Sequence, residues 1–183
     1  METTEAQAMP ASSAPPENNP PAIGEYWPGQ GGIYGGILPA FDGQPARYLI
    51  FSASDAPEDL TWGPYGKAIE GADSRTDGRA NTAALLAAKI TQGLAFPAAE
   101  WAAQHSADGH TDFHLPSQAE LFMALLYAPQ VFDKSPWYWS STQISPHGAF
   151  AQDFEDGNSG WINKDSDWRV RAVRWIPLQP FSA

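Results

Sequence analysis

Two short apolar runs near the start of the globular part, separated by a turn, predict a β-hairpin. A glycine turn leads into a strand over 33–38, Asp42-Gly43 is a typical hairpin turn, and 47–51 return as the second strand. Residues 52–76 follow as a long loop, and we expect Trp62 and Tyr65 to hold this loop against the core.

Helical spacing of apolar residues predicts two helices after this loop. The second begins at Pro97, which suits a first helical turn, and runs through Trp101 to His105. The first covers 78–89, and its apolar face is expected to consist of Ala83, Leu86, Ala87 and Ile90.

A third helix has the clearest start signal. Ser117 can cap it, and Glu120 stands three positions further on, where its side chain can accept from the amide of the cap residue. The buried stripe of this helix is expected to contain Leu121, Leu125 and Leu126, with Phe122 beside it.

The C-terminal part changes to strands and turns. Residues 137–139 predict a strand, 149–155 predict another with Phe150 and Phe154 on one face, and 156–157 predict the hairpin turn that follows. The final strand, 169–176, carries Arg on both faces. It is therefore either central with its arginines paired inside, or bent.

Composition divides the chain into a leader and one domain. Residues 1–22 are rich in Ala, Pro, Ser, Glu and Asn, which favours a flexible Pro-rich segment. A second interpretation is an extended peptide that becomes ordered against a partner and anchors the domain to it. Residues 23–183 form the predicted domain, in which frequent glycine and proline favour short strands and long loops.

Charge and cysteine content exclude several classes of function. The net charge of −11 disfavours nucleic acid and anionic membrane surfaces as direct partners, and it also provides solubility. The chain has no cysteine, which excludes disulfides, thiolate zinc sites and cysteine nucleophiles. Without a secretory signal or an apolar stretch of membrane-spanning length, the protein is expected to remain in the cytoplasm unless a larger assembly carries it out.

One set of motifs is similar to a known family. It comprises Trp-Tyr-Trp-Ser-Ser-Thr-Gln at 137–143, a closing Arg-Val-Arg-Ala-Val-Arg at 169–174, and between them Ala149, Gln152, Phe154, Gly157 and Lys164. These residues resemble the variable proteins of phage diversity-generating retroelements and the C-terminal domain of bacterial collagen-like adhesins. The resemblance covers about residues 24–176.

The resemblance implies an α+β, C-type-lectin-like fold: a small twisted antiparallel sheet, two or three helices, and a long excursion that carries an exposed face. The framework would consist of Trp139, Ser140, Ser141, Ala149, Phe154, Gly157, Arg171 and Arg174. The ligand-binding positions would be Tyr138, Ile144, Pro146, His147, Phe150, Asp153, Glu155, Asp156, Ser159, Trp161, Ile162, Asp165, Asp167 and Trp168.

The chemistry of these binding positions is typical of recognition surfaces, because aromatic side chains supply contact area while Asp and Ser supply hydrogen bonds. For Phe150, Trp161 and Trp168 a place in the core is the alternative. The acids indicate a basic partner, bound Ca²⁺ or merely a solvated face, and the solvated face is favoured. The sugar-binding signature of calcium-dependent lectins is absent, since Ala46 follows Gln44-Pro45.

The function implied by the resemblance is that of a phage or prophage virion protein of the tail or baseplate. Its partners would be a host-cell receptor, protein or glycan, and neighbouring virion proteins that the leader contacts; a homo-oligomer is a further expectation. No enzymatic activity is expected, because the related formylglycine-generating enzymes need active-site cysteines. A purely structural virion component and a bacterial lectin-like adhesin are the alternatives.

Overall fold

The first sheet is built from both ends of the domain. The structure, a computed structural model, describes residues 19–134 and 137–178. Four antiparallel strands follow the order β1-β2-β3-β9: β1 (Tyr26–Trp27), β2 (Gly32–Leu38), β3 (Arg47–Phe51) and β9 (Val173–Pro177). The predicted hairpin is confirmed, and both turn residues have positive φ, 53° at Asp42 and 75° at Gly43.

The boundaries of the predicted leader fall largely outside the described residues. Of positions 1–22, only 19–22 are described, and they form no helix or strand; 179–183 of the predicted domain are also outside the described residues. The described chain enters its first strand at Tyr26.

The last strand is shorter than predicted and lies at the edge of its sheet. It begins at Val173, and residues 169–172 approach it without regular structure apart from a bridge at Arg169. The arginines are nevertheless paired: Arg171 forms an ion pair with Asp55, and Nε of Arg174 lies 2.7 Å from Oδ1 of Asp112. The last strand can carry arginine on both of its faces because it lies at the edge of the sheet and because Arg171 and Arg174 are paired with acids inside the domain.

All three predicted helices are present. They are α1 (Gly78–Gln92), α2 (Pro97–Gln104) and α3 (Gln118–Tyr127). No helix in the described part of the chain is both long enough and apolar enough to cross a membrane.

The buried face predicted for α1 is wrong. Thr82, Leu85 and Ala88 are buried together with Asn81, whereas Ile90 of the predicted face is 83% exposed. The amide of Asn81 donates to the carbonyl of Ser74 at 2.7 Å and to Oγ of Ser141 at 3.1 Å. Because these polar contacts help to orient the helix, apolar spacing alone indicated the wrong face.

The predicted start of α3 is confirmed. Oγ of Ser117 accepts from the amide of Glu120 at 3.3 Å, and Oε2 of Glu120 accepts from the amide of Ser117 at 2.6 Å. Leu121 is fully buried as expected, but Leu126 is 70% exposed, so that part of the predicted stripe is wrong.

Glu120 is a fully buried acid with cationic neighbours. Nε2 of His114 lies 3.4 Å and Nη2 of Arg47 lies 3.9 Å from its Oε1. Burial opposes its ionisation, but His114, the amide of Ser117 and Arg47 together hold the pKa of Glu120 below its usual value.

The second sheet has three antiparallel strands in sequence order: β5 (Tyr138–Gln143), β6 (Gly148–Gln152) and β7 (Ser159–Asn163). The predicted strand 149–155 thus ends at Gln152, and the expected turn follows, with Gly157 at φ 76°. A short ribbon pairs β4 (Leu60–Thr61) with β8 (Asp167–Trp168). The domain is α+β, with antiparallel sheets and three helices in its described residues.

Candidate ligand-binding surface

Tyr138 does not lie on the surface. Its side chain is fully buried at the start of β5, and its hydroxyl donates to Oδ2 of Asp55 at 2.6 Å and accepts from the amide of Asp133 at 3.0 Å. Burial and the carboxylate of Asp55 raise the pKa of this hydroxyl well above its usual range. The prediction that Tyr138 is displayed is wrong, because its hydrogen bonds connect β5 to two loops inside the domain.

Phe150 is also buried, with 3% exposure in the middle of β6. Its ring makes edge contacts with Phe122 of α3 at 5.2 Å and with Trp161 of β7 at 5.4 Å. The prediction that Phe150 is displayed is wrong. Its ring instead packs beside the exposed Trp161 on the same face of the sheet.

Strand β7 carries the exposed face. Ser159 and Trp161 are exposed, whereas Ile162 is half-buried and packs against the main core. Trp161 is 41% exposed and pairs with Phe150, while Ile162 pairs with the buried Ala149. Since alternate residues of a strand face opposite sides, one face of β7 packs against the core and the other is partly exposed to solvent.

The turn between β5 and β6 carries further candidate positions. Ile144 is 47% exposed, His147 is exposed and Pro146 is half-buried. The carbonyl of Pro146 accepts from the amide of Gly66 at 3.0 Å, which joins the turn to the loop after β4.

Tyr65 is a surface residue that sequence reasoning missed. It was expected to hold the loop against the core, yet it is 51% exposed, and its ring lies 4.6 Å from that of His147. Trp62, by contrast, is fully buried as predicted, and its Nε1 donates to the carbonyl of Ser140 at 2.8 Å. No local signal distinguishes the two aromatics, since their difference arises from contacts with distant strands.

The acids lie in two separate turns. Asp153 is half-buried, and its Oδ1 accepts from the amide of Glu155 at 2.7 Å, so it stabilises the turn before β7. Glu155 and Asp156 are exposed in that turn, and Asp165 and Asp167 are exposed after β7. Among the described residues, no three His, Asp or Glu side chains come together in a way that would hold a metal ion.

Trp168 occupies an intermediate position. It is half-buried in β8, opposite Leu60, and packs against the main core. Its exposure leaves part of the ring at the surface, although most of its neighbours belong to the core.

The residues that the resemblance assigns to the framework are buried, except for Gly157 in its exposed turn. Trp139 is fully buried, and its Nε1 donates to the carbonyl of Leu60 at 2.9 Å. Ser140 and Ser141, also fully buried, donate to backbone carbonyls of Phe150 and Pro116. These hydroxyls are used in hydrogen bonds to the backbone inside the domain, so they are not part of the exposed face.

Lys164 fixes the end of β7 from inside. It is fully buried, its Nζ donates to the carbonyl of Lys67 and to Oε1 of Gln143, both at 2.8 Å, and it lies 4.3 Å from the centre of the Trp62 ring. Burial lowers the pKa of Lys164 to about 8. This cation therefore joins the loop after β4 to the sheet.

We define the candidate ligand-binding surface as Tyr65, Ile144, Pro146, His147, Ser159, Trp161, Asp165 and Asp167, of which Pro146 is half-buried and the others are exposed. Aromatic and aliphatic groups provide contact area, and hydroxyl, imidazole and carboxylate groups provide hydrogen bonds. The only Lys or Arg in 138–168 is Lys164, which is buried, so the charged groups on this part of the surface are acidic.

Comparisons with known proteins inform the fold only. No protein-family model and no curated protein matches the chain. A crystal structure of a fimbrial protein from Bacteroides ovatus is similar, with a TM-score of 0.50 and 14% sequence identity; the likeness covers 69% of this chain and 35% of that one. The chain thus spans about a third of that protein's length. At this identity the likeness is one of fold.

Proposed function

We propose that this chain is a virion protein of a phage or prophage, located in the tail or baseplate, whose C-type-lectin-like domain binds a receptor on the host cell. The candidate ligand-binding surface contacts the receptor, protein or glycan, and the segment 1–22 attaches the domain to neighbouring virion proteins. The motifs at 137–143 and 169–174 support the family assignment.

The observation that carries the proposal is the contrast between an exposed and a buried layer. Trp161 is 41% exposed on β7, yet its ring packs beside that of Phe150, which is 3% exposed and lies on the same face of a sheet whose other side belongs to the core. A large aromatic ring on a rigid support loses little conformational entropy on binding, which suits it to be an anchor in an interface.

The arrangement of the fold also supports a C-type-lectin-like domain. The first sheet joins β3 to the last strand, so the N- and C-terminal parts of the domain meet, and a small sheet with its turns extends between them. This arrangement agrees with the small sheet, flanking helices and long excursion that the resemblance implies, and so supports the proposal.

The test is adsorption of the purified protein to host cells, with Trp161→Ala compared with the wild type. The matched control is Ile90→Ala on α1, which removes an exposed apolar side chain, 83% exposed, away from the proposed surface. Trp161→Ala is expected to weaken binding at least tenfold, while the control binds normally. Equal binding by both variants would rule out this surface as the receptor site.

Two other functions make different predictions. A purely structural virion component would be found in purified particles but would show no host binding that depends on Trp161. A bacterial adhesin would be found on the bacterial surface instead, and the fold likeness to a fimbrial protein favours it as the second candidate.

The genetic context provides an independent test of diversification. A reverse-transcriptase gene beside a near-copy of the 3′ coding region, differing mainly at adenines, is expected if the display residues are varied. Tail genes alone would indicate a fixed receptor binder or a structural component.

A further inference from the structure

The second sheet has two edges, and the rest of the domain closes the one at β5. Alternate amides along the outer side of β5 donate to loop carbonyls at 3.0, 2.7 and 2.9 Å: Trp139 to Arg169, Ser141 to Pro116, and Gln143 to Ala72. Because the backbone donors on this side already have partners inside the domain, no further strand can pair with β5.

The register of β6 and β7 shows which backbone groups lie at the opposite edge. In an antiparallel pair, residues that exchange backbone hydrogen bonds alternate with residues that exchange none. The amide of Asp153 donates to the carbonyl of Asn158 at 2.8 Å, and the amide of Lys164 donates to the carbonyl of His147 at 3.0 Å. The pairing between these positions has no bulge. The even-numbered residues of β7 therefore bond to β6, and the others turn their backbone groups outward: Ser159, Trp161 and Asn163.

The outward backbone groups of β7 form an open edge. In the part of the chain that the structure describes, the amides of Ser159, Trp161 and Asn163 donate to no backbone carbonyl, and the carbonyl of Asn163 accepts from the amide of Ser166 at 3.0 Å. The strand contains neither proline nor a charged residue, which are common means by which proteins protect an exposed edge. An edge of this kind is able to pair with a strand from another chain.

The side chains along this edge have the chemistry of a recognition site. Trp161 lies in the middle of β7 and is 41% exposed, so a strand paired with β7 would place a side chain of its own against the indole. Exposed acids lie at both ends of the strand: Glu155 and Asp156 before it, and Asp165 and Asp167 after it. Basic residues at the two ends of a paired strand would therefore face carboxylates.

We propose that the open edge of β7 binds an extended, basic segment of the host receptor by strand addition. The backbone groups of Ser159 and Trp161 exchange hydrogen bonds with this segment, and an apolar side chain of the segment packs on Trp161. In this mode of recognition the backbone pairing provides affinity and the neighbouring side chains provide specificity. The proposal rests on receptor binding by this surface, and it adds that the receptor is a protein and not a glycan.

Charge favours a receptor segment over other parts of this protein. If the β7 strands of two copies paired antiparallel, the acids at the ends of one strand would face those of the other, and like charges opposite each other are destabilising. The segment 1–22 carries Glu2, Glu5 and Glu17 but neither Lys nor Arg, so it would meet the same repulsion. It also contains several prolines, which have no amide to donate.

The test is adsorption of the full-length protein to host cells, with Ser159→Pro compared with Ser159→Ala. Proline removes the outward amide and is tolerated at sheet edges, whereas alanine keeps this amide and removes only the hydroxyl. Ser159→Pro is expected to weaken adsorption about tenfold or more, because strand addition depends on backbone hydrogen bonds, and Ser159→Ala should bind normally. Asn163→Pro removes another outward amide and is a second variant of the same kind. Circular dichroism of every variant checks that it is folded.

Charge reversal tests the basic character of the receptor segment. Asp156→Lys and Asp165→Lys, at the two ends of β7, are each expected to weaken adsorption several-fold. The matched control is Glu25→Lys, at an exposed acid beside β1 of the first sheet, and it should bind normally. Protease treatment of the cells should abolish adsorption of the wild type, whereas periodate oxidation of their glycans should leave it intact.

The outcomes distinguish strand addition from receptor binding as such. If Trp161→Ala weakens adsorption but the folded proline variants bind like the wild type, the surface binds the receptor and strand addition is wrong. Loss of adsorption after periodate but not after protease would also overturn the inference, as would charge reversals that bind like Glu25→Lys. If neither proline variant folds, the charge-reversal and protease results decide. Adsorption that none of these variants weakens, Trp161→Ala included, would overturn the receptor surface itself.

Discussion

Strands β6 and β7 are neighbours of equal length with opposite relations to solvent. All five residues of β6 are buried, whereas in β7 exposed positions alternate with half-buried ones. The cause is what packs on each strand: β6 contacts Phe122 of α3 through Phe150 and the main core through Ala149 and Ala151, whereas the Trp161 side of β7 is left partly open. An edge position alone does not expose a strand, since β5 at the other edge is fully buried.

The comparison shows that residue type does not decide which positions are displayed. Phe150 and Trp161 are both aromatic and stand opposite each other, yet one is 3% and the other 41% exposed. A substitution in β6 should therefore alter the folding free energy, whereas one on the open face of β7 should alter binding.

The largest expected effect belongs to the buried layer. Trp139→Ala is expected to lower the free energy of unfolding by about 3–5 kcal/mol, because it leaves a cavity where a fully buried indole packed. Urea denaturation followed by circular dichroism measures this change. Trp161→Ala is the matched control and should cost far less; equal losses for the two variants would contradict the division between buried and displayed layers.

A pH series tests the buried Lys164, which follows β7. The folded pKa of Lys164, about 8, lies below its ordinary value of 10.5, so the folded state binds fewer protons than the unfolded state between these values. Stability should therefore rise as the pH increases from 8 towards 10, by roughly 2 kcal/mol.

Urea denaturation at pH 7, 8.5 and 10 measures this rise. The series ends at pH 10 because burial raises the pKa of Tyr34 and Tyr138, whose own ionisation would lower stability at higher pH. Lys164→Met should show a flatter profile over the same range. A wild type whose stability is flat or falls from pH 8 to 10 would show that burial does not lower the pKa of Lys164.

Sequence reasoning succeeded where the signal was local. The capping box of Ser117 and Glu120 and the turn at Asp42-Gly43 depend on residues within a few positions of each other, and both were predicted. The resemblance placed the ligand-binding positions between its two motifs, and that placement stays a prediction.

Sequence reasoning failed where contacts between distant residues decide whether a side chain is buried or exposed. Tyr138 is buried because its hydroxyl binds Asp55, 83 positions earlier, and Tyr65 is exposed beside His147, 82 positions later. Likewise, Asn81 turns the face of α1 inward through a hydrogen bond to Ser141. Each of these depends on tertiary pairing that no local pattern records.

The smallest expected effect comes from one pair of residues that face each other across the two strands. Gln152 of β6 and Ser159 of β7 are directly paired, but Gln152 is fully buried, and its Nε2 donates to the carbonyls of Asp153 and Asn158 at 2.8 and 2.7 Å. Ser159→Ala should change the free energy of unfolding by no more than about 0.5 kcal/mol. Gln152→Ala should cost about 1–3 kcal/mol, because it removes two buried-side-chain hydrogen bonds, although the carbonyl of Asn158 still accepts from the amide of Asp153. Thermal denaturation of the two variants side by side measures both, and a Ser159→Ala loss as large as that of Gln152→Ala would mean that β7 stabilises the sheet as much as β6 does.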